Sequence, residues 1–254
     1  MAGDGVKAAD VCLRILEYVA FEANGPGVTQ IADAVGVAKS AAFKHLQTLI
    51  DHGFVTQEVV TTRYFLGPKA WLLSGKAPNL DDIASIAAPF MRAVRDDTGM
   101  AVVLSVPTPH SALVLFTCPS NQQIEIGVRP GSELALHASA QGKVFLAFGG
   151  EGAAISARTG RLVAVTPRTI TDPAELLADI ARVRNLGYAT APEQSLLGIN
   201  AIAAPVYNYD NRLVGSIGLI GSIQHILAEP PEALVTRVLR LTSDVSAALG
   251  RHSA

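Results

Sequence analysis

Two short helical patterns meet at a tight turn in residues 28–54, whose sequence is VTQIADAVGVAKSAAFKHLQTLIDHGF. The apolar stripe of the first pattern consists of Ile31, Ala32 and Val35. Thr29 is a residue of the type that caps a helix N-terminus. Gly36 stands where a helix C-terminus favours a residue that tolerates positive φ. The segment therefore predicts two helices joined by a tight turn.

The second pattern starts near Ala38 and has two contrasting faces. Its apolar face, at 100° per residue, comprises Ala42, Phe43, Leu46, Leu49 and Ile50. The opposite face and the N-terminal edge carry Ala38, Lys39, Ser40, Ala41, Lys44 and Thr48. Small side chains permit close approach to a DNA major groove, lysines bind phosphates, and polar groups reach base edges. We interpret the segment as a helix-turn-helix, with an αα-hairpin of purely structural role as the alternative.

The segment that follows, VTQEVVTTRYFLG at residues 55–67, is rich in β-branched and aromatic residues. This composition predicts two short strands around a turn. Helix, helix and hairpin in that order describe a winged helix-turn-helix, in which the wing adds a contact to a phosphate or to the minor groove. Arg63 is the candidate for that contact. Thr29 and His45 complete the set of candidate DNA-binding residues.

The length and composition of the chain favour a cytoplasmic globular protein. Its 254 residues allow one large domain or two ordinary ones, and 49% apolar with 17% charged residues allow a substantial core. No apolar run reaches the roughly 18 residues that span a bilayer, and the N-terminus lacks the pattern of a secretion signal. Cys12 and Cys118 are far apart, which favours free thiols in a reducing compartment. We expect no membrane partner.

The charge distribution limits how DNA is bound. The net charge is −2, and residues 1–76 contain seven basic and seven acidic side chains. A weak local excess of basic residues lies between residues 36 and 69, where Lys39, Lys44, Arg63 and Lys69 outnumber Asp51 and Glu58. Specific binding therefore needs a dimer, which doubles the phosphate contacts and the base readout.

The remaining patterns divide the chain at residue 76. Residues 1–76 are assigned to the DNA-binding domain with its linker, and residues 77–254 to a second domain. Helices are predicted at 7–21, 80–98, 137–148, 173–185 and 230–249, and strands at 100–106, 111–118, 123–128, 187–190, 198–207 and 213–220. Antiparallel hairpins with helices at both ends indicate an α+β domain.

Five stretches, in this order, resemble the IclR family of bacterial transcriptional regulators. They are TQIADAVGVAKSAAFKHLQTLIDHGFV, RYFLGPKAWLLS, LALHASAQGKVFLAF, LGYAT and GINAIAAPVYNYDNRLVGSIGLIG. The resemblance spans nearly the whole chain. It implies an N-terminal winged helix, a linker helix and a C-terminal GAF-like domain whose curved antiparallel sheet covers an effector pocket. It also implies a homodimer or a dimer of dimers that reads near-palindromic operator DNA.

The resemblance places the effector pocket at Leu134, Ser139, Ala140, Gln141, Ala191, Ile199, Ala201, Gly218 and Ile220. At residues 139–141 the N–H groups of a helix start can receive a carboxylate. Some relatives that bind small oxoacids resemble this chain but carry more polar residues at the positions of Ala191, Gly218 and Ile220. The apolar set here favours a bulkier organic acid, and we expect an aromatic acid or a related phenolic compound.

Two function classes compete with this interpretation. A winged-helix module that binds only proteins predicts Lys39 and Lys44 buried in an interface. A small hydrolase predicts Ser139 or Cys118 as nucleophile near His137, but no GxSxG elbow, Cys-His signature, Gly-rich phosphate loop or dinucleotide fingerprint occurs. None of the six histidines has metal-ligand spacing. We therefore expect no catalysis, no cofactor and no metal, with His137 bound to a backbone carbonyl.

Overall fold

The computed structural model describes residues 6–74, 80–150 and 162–251. The chain divides into two compact units, residues 1–81 and 82–254. Residues 75–79, which contain the domain boundary expected from the sequence, lie outside the described residues. Among the described helices, none has both the length and the apolar character needed to cross a membrane.

The first unit has three helices followed by a small hairpin, as predicted. Its elements are α1 (Lys7–Phe21), α2 (Val28–Val35), α3 (Lys39–Asp51), β1 (Val55–Gln57), β2 (Tyr64–Leu66) and α4 (Pro68–Ser74). Strands β1 and β2 pair antiparallel, with Thr56 opposite Phe65. The apolar stripes of α1, α2 and α3 meet in one core that also contains Val55 and Tyr64. This unit is a winged helix-turn-helix.

The turn between α2 and α3 has the predicted geometry at its glycine. Gly36 lies in the left-handed region, with φ of 73°, and its N–H donates to the Ala32 carbonyl at 2.9 Å. Ala38 is extended and immediately precedes the first residue of α3. The turn therefore releases the chain from α2 and directs it into α3 within three residues.

Two predictions about these helices are wrong in detail. Thr29 does not cap α2, because Gly27 occupies the cap position and donates its N–H to the Gln30 side chain at 2.9 Å. Phe43 does not belong to the core, since 52% of its surface is exposed. The core of α3 is a narrow stripe of Ala42, Leu46 and Leu49, and Phe43 lies beyond its edge.

The second unit is an α+β domain built on one curved sheet. Its elements are α5 (Leu80–Thr98), β3 (Ala101–Pro107), β4 (Ser111–Cys118), β5 (Glu133–Ala135), α6 (Ala140–Phe148), α7 (Pro173–Leu186), β6 (Ala189–Thr190), β7 (Ile199–Tyr207), β8 (Leu213–Ser222) and α8 (Glu232–Ala248). The strand order is β5-β4-β3-β8-β7-β6, and all neighbours are antiparallel. The predicted β7–β8 hairpin is present.

The two faces of this sheet are covered differently. On one face, α5 and α8 pack side chains such as Met91 and Leu241 against the strands. On the other face, α6 and α7 cover part of the sheet through residues such as Val144 and Ile180. The rest of that face carries an apolar patch around Val103, Val114 and Ile220. A cavity lies beside this patch, next to the start of α6.

Two elements of the second unit differ from the prediction. Residues 123–128 form no strand: β5 pairs only with Ser111–Leu113 at the start of β4, and near the other end of β4 the Thr117 hydroxyl donates to the Val128 carbonyl where a strand ladder would be expected. Ile124 is 79% exposed, whereas Ile126 and Val128 are half-buried. Helix α6 begins at Ala140 instead of residue 137, because Ser139 is extended and its hydroxyl accepts the Gly142 N–H at 3.0 Å.

Candidate DNA-binding and effector-binding sites

The exposed face of α3 carries most of the candidate DNA-binding residues. Ala38, Lys39, Ser40, Lys44 and Thr48 are exposed, and Ala41 and His45 are half-buried. Among the described residues, neither Lys39 nor Lys44 has an acidic ion-pair partner. Both ammonium groups are therefore available to phosphates.

Two side chains further along α3 already make hydrogen bonds within the helix. The Thr48 hydroxyl donates to the Lys44 carbonyl at 3.1 Å, and Gln47 donates its Nε2 to Asp51 at 2.9 Å. The Asp51 carboxylate puts a negative charge near the C-terminal end of this face. The cations are therefore concentrated in the first half of α3.

Arg63 links the wing to the turn that precedes α2. Its Nη1 donates to the carbonyl oxygens of Gly25 at 2.6 Å and Asn24 at 3.2 Å. This leaves Nε and Nη2 without a partner among the described residues. The wing tip itself is apolar, since Val59 and Val60 are more than 90% exposed. Thr29 is exposed on α2.

The exposure of Phe43 was missed by the sequence reasoning. Its ring lies on the outer part of α3, three or four residues from Lys39, Ser40 and Gln47, which are all exposed. An aromatic side chain in this position can contact the methyl group of a thymine. The signal in the sequence was the width of the apolar face, which spans more than the narrow stripe that packs into the core.

A cavity of about 310 Å³ lies on the α6 face of the second unit. Eight of the nine residues expected in the effector pocket line it: Leu134, Ser139, Ala140, Gln141, Ala191, Ile199, Ala201 and Ile220. Gly218 is not in the lining. A Cβ atom at Gly218 would lie 3.1 Å from the Gln141 Nε2 and 3.0 Å from the Ala203 Cβ, so this glycine leaves room for Gln141.

The first turn of α6 brings unpaired donors to the cavity. The N–H groups of Ala140 and Gln141 have no hydrogen-bond partner among the described residues. The Gln141 side chain is 1% exposed, and its buried Nε2 has no partner there either. The positive end of the helix dipole lies at the same place. These groups favour a ligand that presents a carboxylate.

Asn200, a polar residue of the cavity wall, makes its hydrogen bonds within the protein. Asn200 accepts the N–H groups of Ala191 and Ala201 with Oδ1, and it donates Nδ2 to the carbonyls of Ile226 and Leu227. Because all four of these bonds are made within the protein, Asn200 holds the wall in place and has little capacity left for a ligand.

The sequence reasoning missed seven lining residues: Glu125, Ile126, Gly127, Val128, Ser195, Leu196 and Asn200. Four of them lie in residues 123–128, where the alternating apolar pattern suggested a strand. An asparagine within an apolar strand was a usable signal, because a buried amide requires several partners. Glu125 is the sole charged residue of the described lining, and it is exposed.

The geometry gives no support to the hydrolase alternative. The Ser139 hydroxyl donates to the Ala135 carbonyl at 2.8 Å, and the His137 Nε2 lies 2.9 Å from the Val163 carbonyl oxygen. Each side chain thus bonds to backbone, and His137 has the structural role expected from the sequence. In the described parts of the chain, no cluster of three His, Cys, Asp or Glu residues is placed to hold a metal ion.

Comparison with known proteins finds similarity over both units. Residues 8–59 match the IclR helix-turn-helix domain, and residues 77–247 match the bacterial transcriptional regulator IclR C-terminal domain. The acetate operon repressor of Salmonella typhimurium is 27% identical, over 94% of this chain and 88% of its own. The transcriptional repressor IclR of Escherichia coli is 26% identical over the same shares.

Solved structures show the same fold. A transcriptional regulator from Alicyclobacillus acidocaldarius matches with a TM-score of 0.75 and 27% identity, over 97% of this chain and all of its own. An IclR homologue from Microbacterium hydrocarbonoxydans, solved in complex with 4-hydroxybenzoate, matches with a TM-score of 0.78 and 20% identity, over 96% and 99% of the two chains.

Proposed function

Because the chain belongs to the IclR family of bacterial transcriptional regulators, we propose that an aromatic acid or a related phenolic compound binds in the cavity beside α6 and controls binding of operator DNA by α3. Residues 1–76 would act as the DNA-binding domain and residues 77–254 as the sensor. The regulator would be a cytoplasmic homodimer or dimer of dimers without catalytic activity.

The set of unpaired donors at the start of α6 carries the proposal for the ligand. Two backbone N–H groups and the Gln141 amide supply hydrogen bonds to a carboxylate, and no described lining residue supplies a full positive charge. The rest of the lining is mostly apolar, including Leu134, Ile199 and Ile220. An aromatic ring would make apolar contacts with these walls. A protein with the same fold was solved in complex with 4-hydroxybenzoate, which supports this choice.

The proposal for DNA rests on the outer face of α3. Lys39 and Lys44 are exposed without ion-pair partners among the described residues, and Ser40 lies between them on the same helix. We propose that the lysines bind phosphates, that Ser40 reaches a base edge, and that Phe43 contacts a thymine methyl group. Arg63 would contact DNA only through Nε and Nη2, because Nη1 is bonded to the carbonyl oxygens of Asn24 and Gly25.

Two copies of α3 would read two half-sites about 34 Å apart, one helical turn of DNA. A ligand that changes the separation or the orientation of the two copies weakens simultaneous docking. The regulatory effect of the ligand thus requires a dimer. It predicts that ligand and operator DNA affect each other's affinity by the same factor.

A proline substitution tests the ligand site with little effect on the fold. Ala140 is the first residue of α6, and Ser139 before it is already extended, as the residue before a proline must be. Ala140→Pro therefore removes one N–H donor and retains the helix. We expect an affinity for 4-hydroxybenzoate, benzoate or phenylacetate about tenfold below that of the wild type, measured by calorimetry, with an unchanged thermal midpoint.

The results test the ligand site, the class of ligand and DNA binding separately. If the wild type and Ala140→Pro bind the aromatic acids with equal affinity, the start of α6 is not part of the ligand site. Preference of the wild type for pyruvate or glyoxylate would contradict the aromatic class. DNA binding is tested independently by selecting duplexes from a random library with the full chain. Failure to enrich any duplex would favour the protein-contact alternative.

A further inference from the structure

A lysine is buried in the middle of the helix that begins at the proposed ligand site. Every residue from 140 to 147 is buried, and the Lys143 side chain is 1% exposed. Burial of an ammonium group costs several kcal/mol unless it is paired and hydrogen-bonded. A leucine or methionine would fill the same place without that cost. Apolar packing alone therefore does not explain why this buried position carries a charged side chain.

The contacts of Lys143 join three elements. Its Nζ lies 2.6 Å from Oδ2 of Asp179 on α7, and it donates to the carbonyl of Thr190 on β6 at 3.3 Å. Thr190 is followed directly by Ala191, which lines the cavity. Lys143 itself follows Ala140 and Gln141 by less than one turn. The ammonium group thus links two walls of the cavity to each other and to α7.

Two further contacts fix α6 on its other sides. At its C-terminal end, Arg184 of α7 donates Nε to the Ala147 carbonyl at 2.7 Å. Near its N-terminal end, a Cβ atom on Gly142 would lie 2.5 Å from the Leu136 carbonyl oxygen. The backbone of α6 therefore packs so closely on residues 135–136 that only a glycine fits at position 142 without a shift. With Lys143 between these points, the position of α6 along and around its axis is fixed.

We propose that Lys143 and Asp179 are positioning residues for ligand recognition: their ion pair, with the bond from Lys143 to Thr190, holds the donors at the start of α6 at the distance from Ala191 that an acid requires. This inference rests on the proposed function. It adds that affinity for an acid depends on a pair that does not line the cavity. An apolar pair of similar size would restore packing but would leave the Thr190 carbonyl without its donor.

The test uses the full chain and a variant that removes both charges together. Lys143→Met with Asp179→Asn leaves no uncompensated charge in the interior, so the protein is expected to fold. Affinities for 4-hydroxybenzoate, benzoate and phenylacetate are measured by calorimetry at 25 °C. Only chains that circular dichroism shows to be fully folded at that temperature are compared, so that lower global stability does not change the dissociation constants. We expect them to rise about tenfold.

A double-mutant cycle with Ala140→Pro distinguishes positioning from a general loosening of the domain. If the pair acts through the α6 donors, its removal has a smaller effect once one donor is gone, and the losses are not additive. Arg182→Ala serves as the control, because Arg182 forms an ion pair with Asp179 at 2.7 Å and, among the described residues, has no hydrogen bond or ion pair to α6. Its affinity for the acids should equal that of the wild type.

Wild-type affinity in the charge-free variant would overturn the proposal, and so would fully additive losses. A wild-type chain that binds none of the three acids would overturn the ligand part of the proposed function together with this inference. If the charge-free variant does not fold, Asp179→Glu replaces it in the cycle, because one added methylene displaces the carboxylate from Lys143 while keeping its charge. Unchanged affinity in that variant would also contradict the proposal.

Discussion

Helices α3 and α6 both begin beside a proposed ligand surface, but they are held in opposite ways. α3 buries a narrow stripe and exposes its charges, including Lys39 and Lys44, to solvent. α6 is buried on all sides and pairs its one charge with Asp179 in the interior. A surface that meets DNA gains from free, hydrated charges, whereas a wall that holds a small acid gains from fixed geometry.

This difference predicts how each helix responds to substitution. Changes on the outer face of α3 should alter DNA binding and leave stability almost unchanged, because surface substitutions change the free energy of unfolding by about 0.5 kcal/mol or less. Changes in α6 beyond its first residue, or in the residues that α6 contacts, should alter stability first. The largest change in free energy is therefore expected for substitution in the buried Lys143–Asp179 pair, and the smallest for substitution of the exposed Phe43 ring on α3.

Asp179→Asn should lower the free energy of unfolding by about 3 kcal/mol at pH 7, because it leaves the Lys143 ammonium buried without a counter-charge. Urea unfolding followed by circular dichroism measures this change. Arg182→Ala is the matched control, since Arg182 is half-exposed and its loss leaves the Lys143–Asp179 pair intact. A change below about 1 kcal/mol would show that Lys143 is neutral or solvated in the folded protein.

The same substitution should matter less in acid. Burial works to raise the pKa of Asp179, but Lys143 and Arg182 together lower it below its ordinary value. A lowered pKa in the folded state gives stability that is present above the unfolded-state pKa of about 3.9 and lost as the pH falls through the folded-state pKa. The difference between wild type and Asp179→Asn should therefore shrink below about pH 4. A constant difference from pH 7 to pH 3 would exclude this carboxylate as its source.

Gly142→Ala should destabilise the second unit by about 2 kcal/mol, because the new methyl group would meet the backbone of residues 135–136. Gly221→Ala is the control, since its Cβ would make ordinary contacts of 3.5 Å or more. Equal thermal midpoints of the two variants would show that α6 can shift away from this segment, contrary to its fixed position.

Lys44→Ala should weaken binding to a selected duplex about tenfold for a dimer, and it should reduce the slope of log affinity against log salt by about 0.9 for each phosphate that the variant no longer neutralises. Fluorescence anisotropy over a range of salt concentrations measures both. The affinity for the aromatic acids should not change. A parallel loss of acid binding would contradict the separation of the two sites.

Phe43→Ser should have the smallest and most specific effect. If the ring contacts a thymine methyl group, replacing that thymine by uracil weakens wild-type binding about fourfold, as expected for one buried methyl group. The Phe43→Ser chain should bind both duplexes equally. A uracil effect that is the same in both chains would assign the methyl contact to another residue.

The sequence predicted best those elements that have one exposed and one buried face, and it predicted less well those whose structure depends on their neighbours. The bounds of α1 and α5 were predicted to the residue, because each has one exposed and one buried face and is followed by residues that break helices, Asn24-Gly25-Pro26 after α1 and Gly99 after α5. Residues 123–128 were misassigned as a strand, since alternating apolar residues do not reveal whether a neighbouring strand is available to pair with them. In the structure, β5 takes the edge beside Ser111–Leu113, and residues 123–128 join no strand.

The lining of the cavity was predictable where it comes from a recognisable motif, and it was not predictable where it depends on tertiary packing. Eight of the nine expected residues line the cavity because the stretch around Ser139 and the β7–β8 hairpin have recognisable sequences. Asn200 was missed because its role depends on the backbone of residues 226–227. The Lys143–Asp179 pair was missed for a similar reason, since nothing in an amphipathic pattern predicts a lysine in the core.

The irregular wall of the cavity has a consequence for the evolution of its ligand. Residues 125–128 contribute four lining positions but no rung of the sheet, so exchanges or insertions there do not break a ladder of hydrogen bonds. Mutations in this wall can reshape the cavity at small cost to folding, while the donors at α6 stay in place. A lineage can therefore change which acid it detects and retain the way in which it holds a carboxylate.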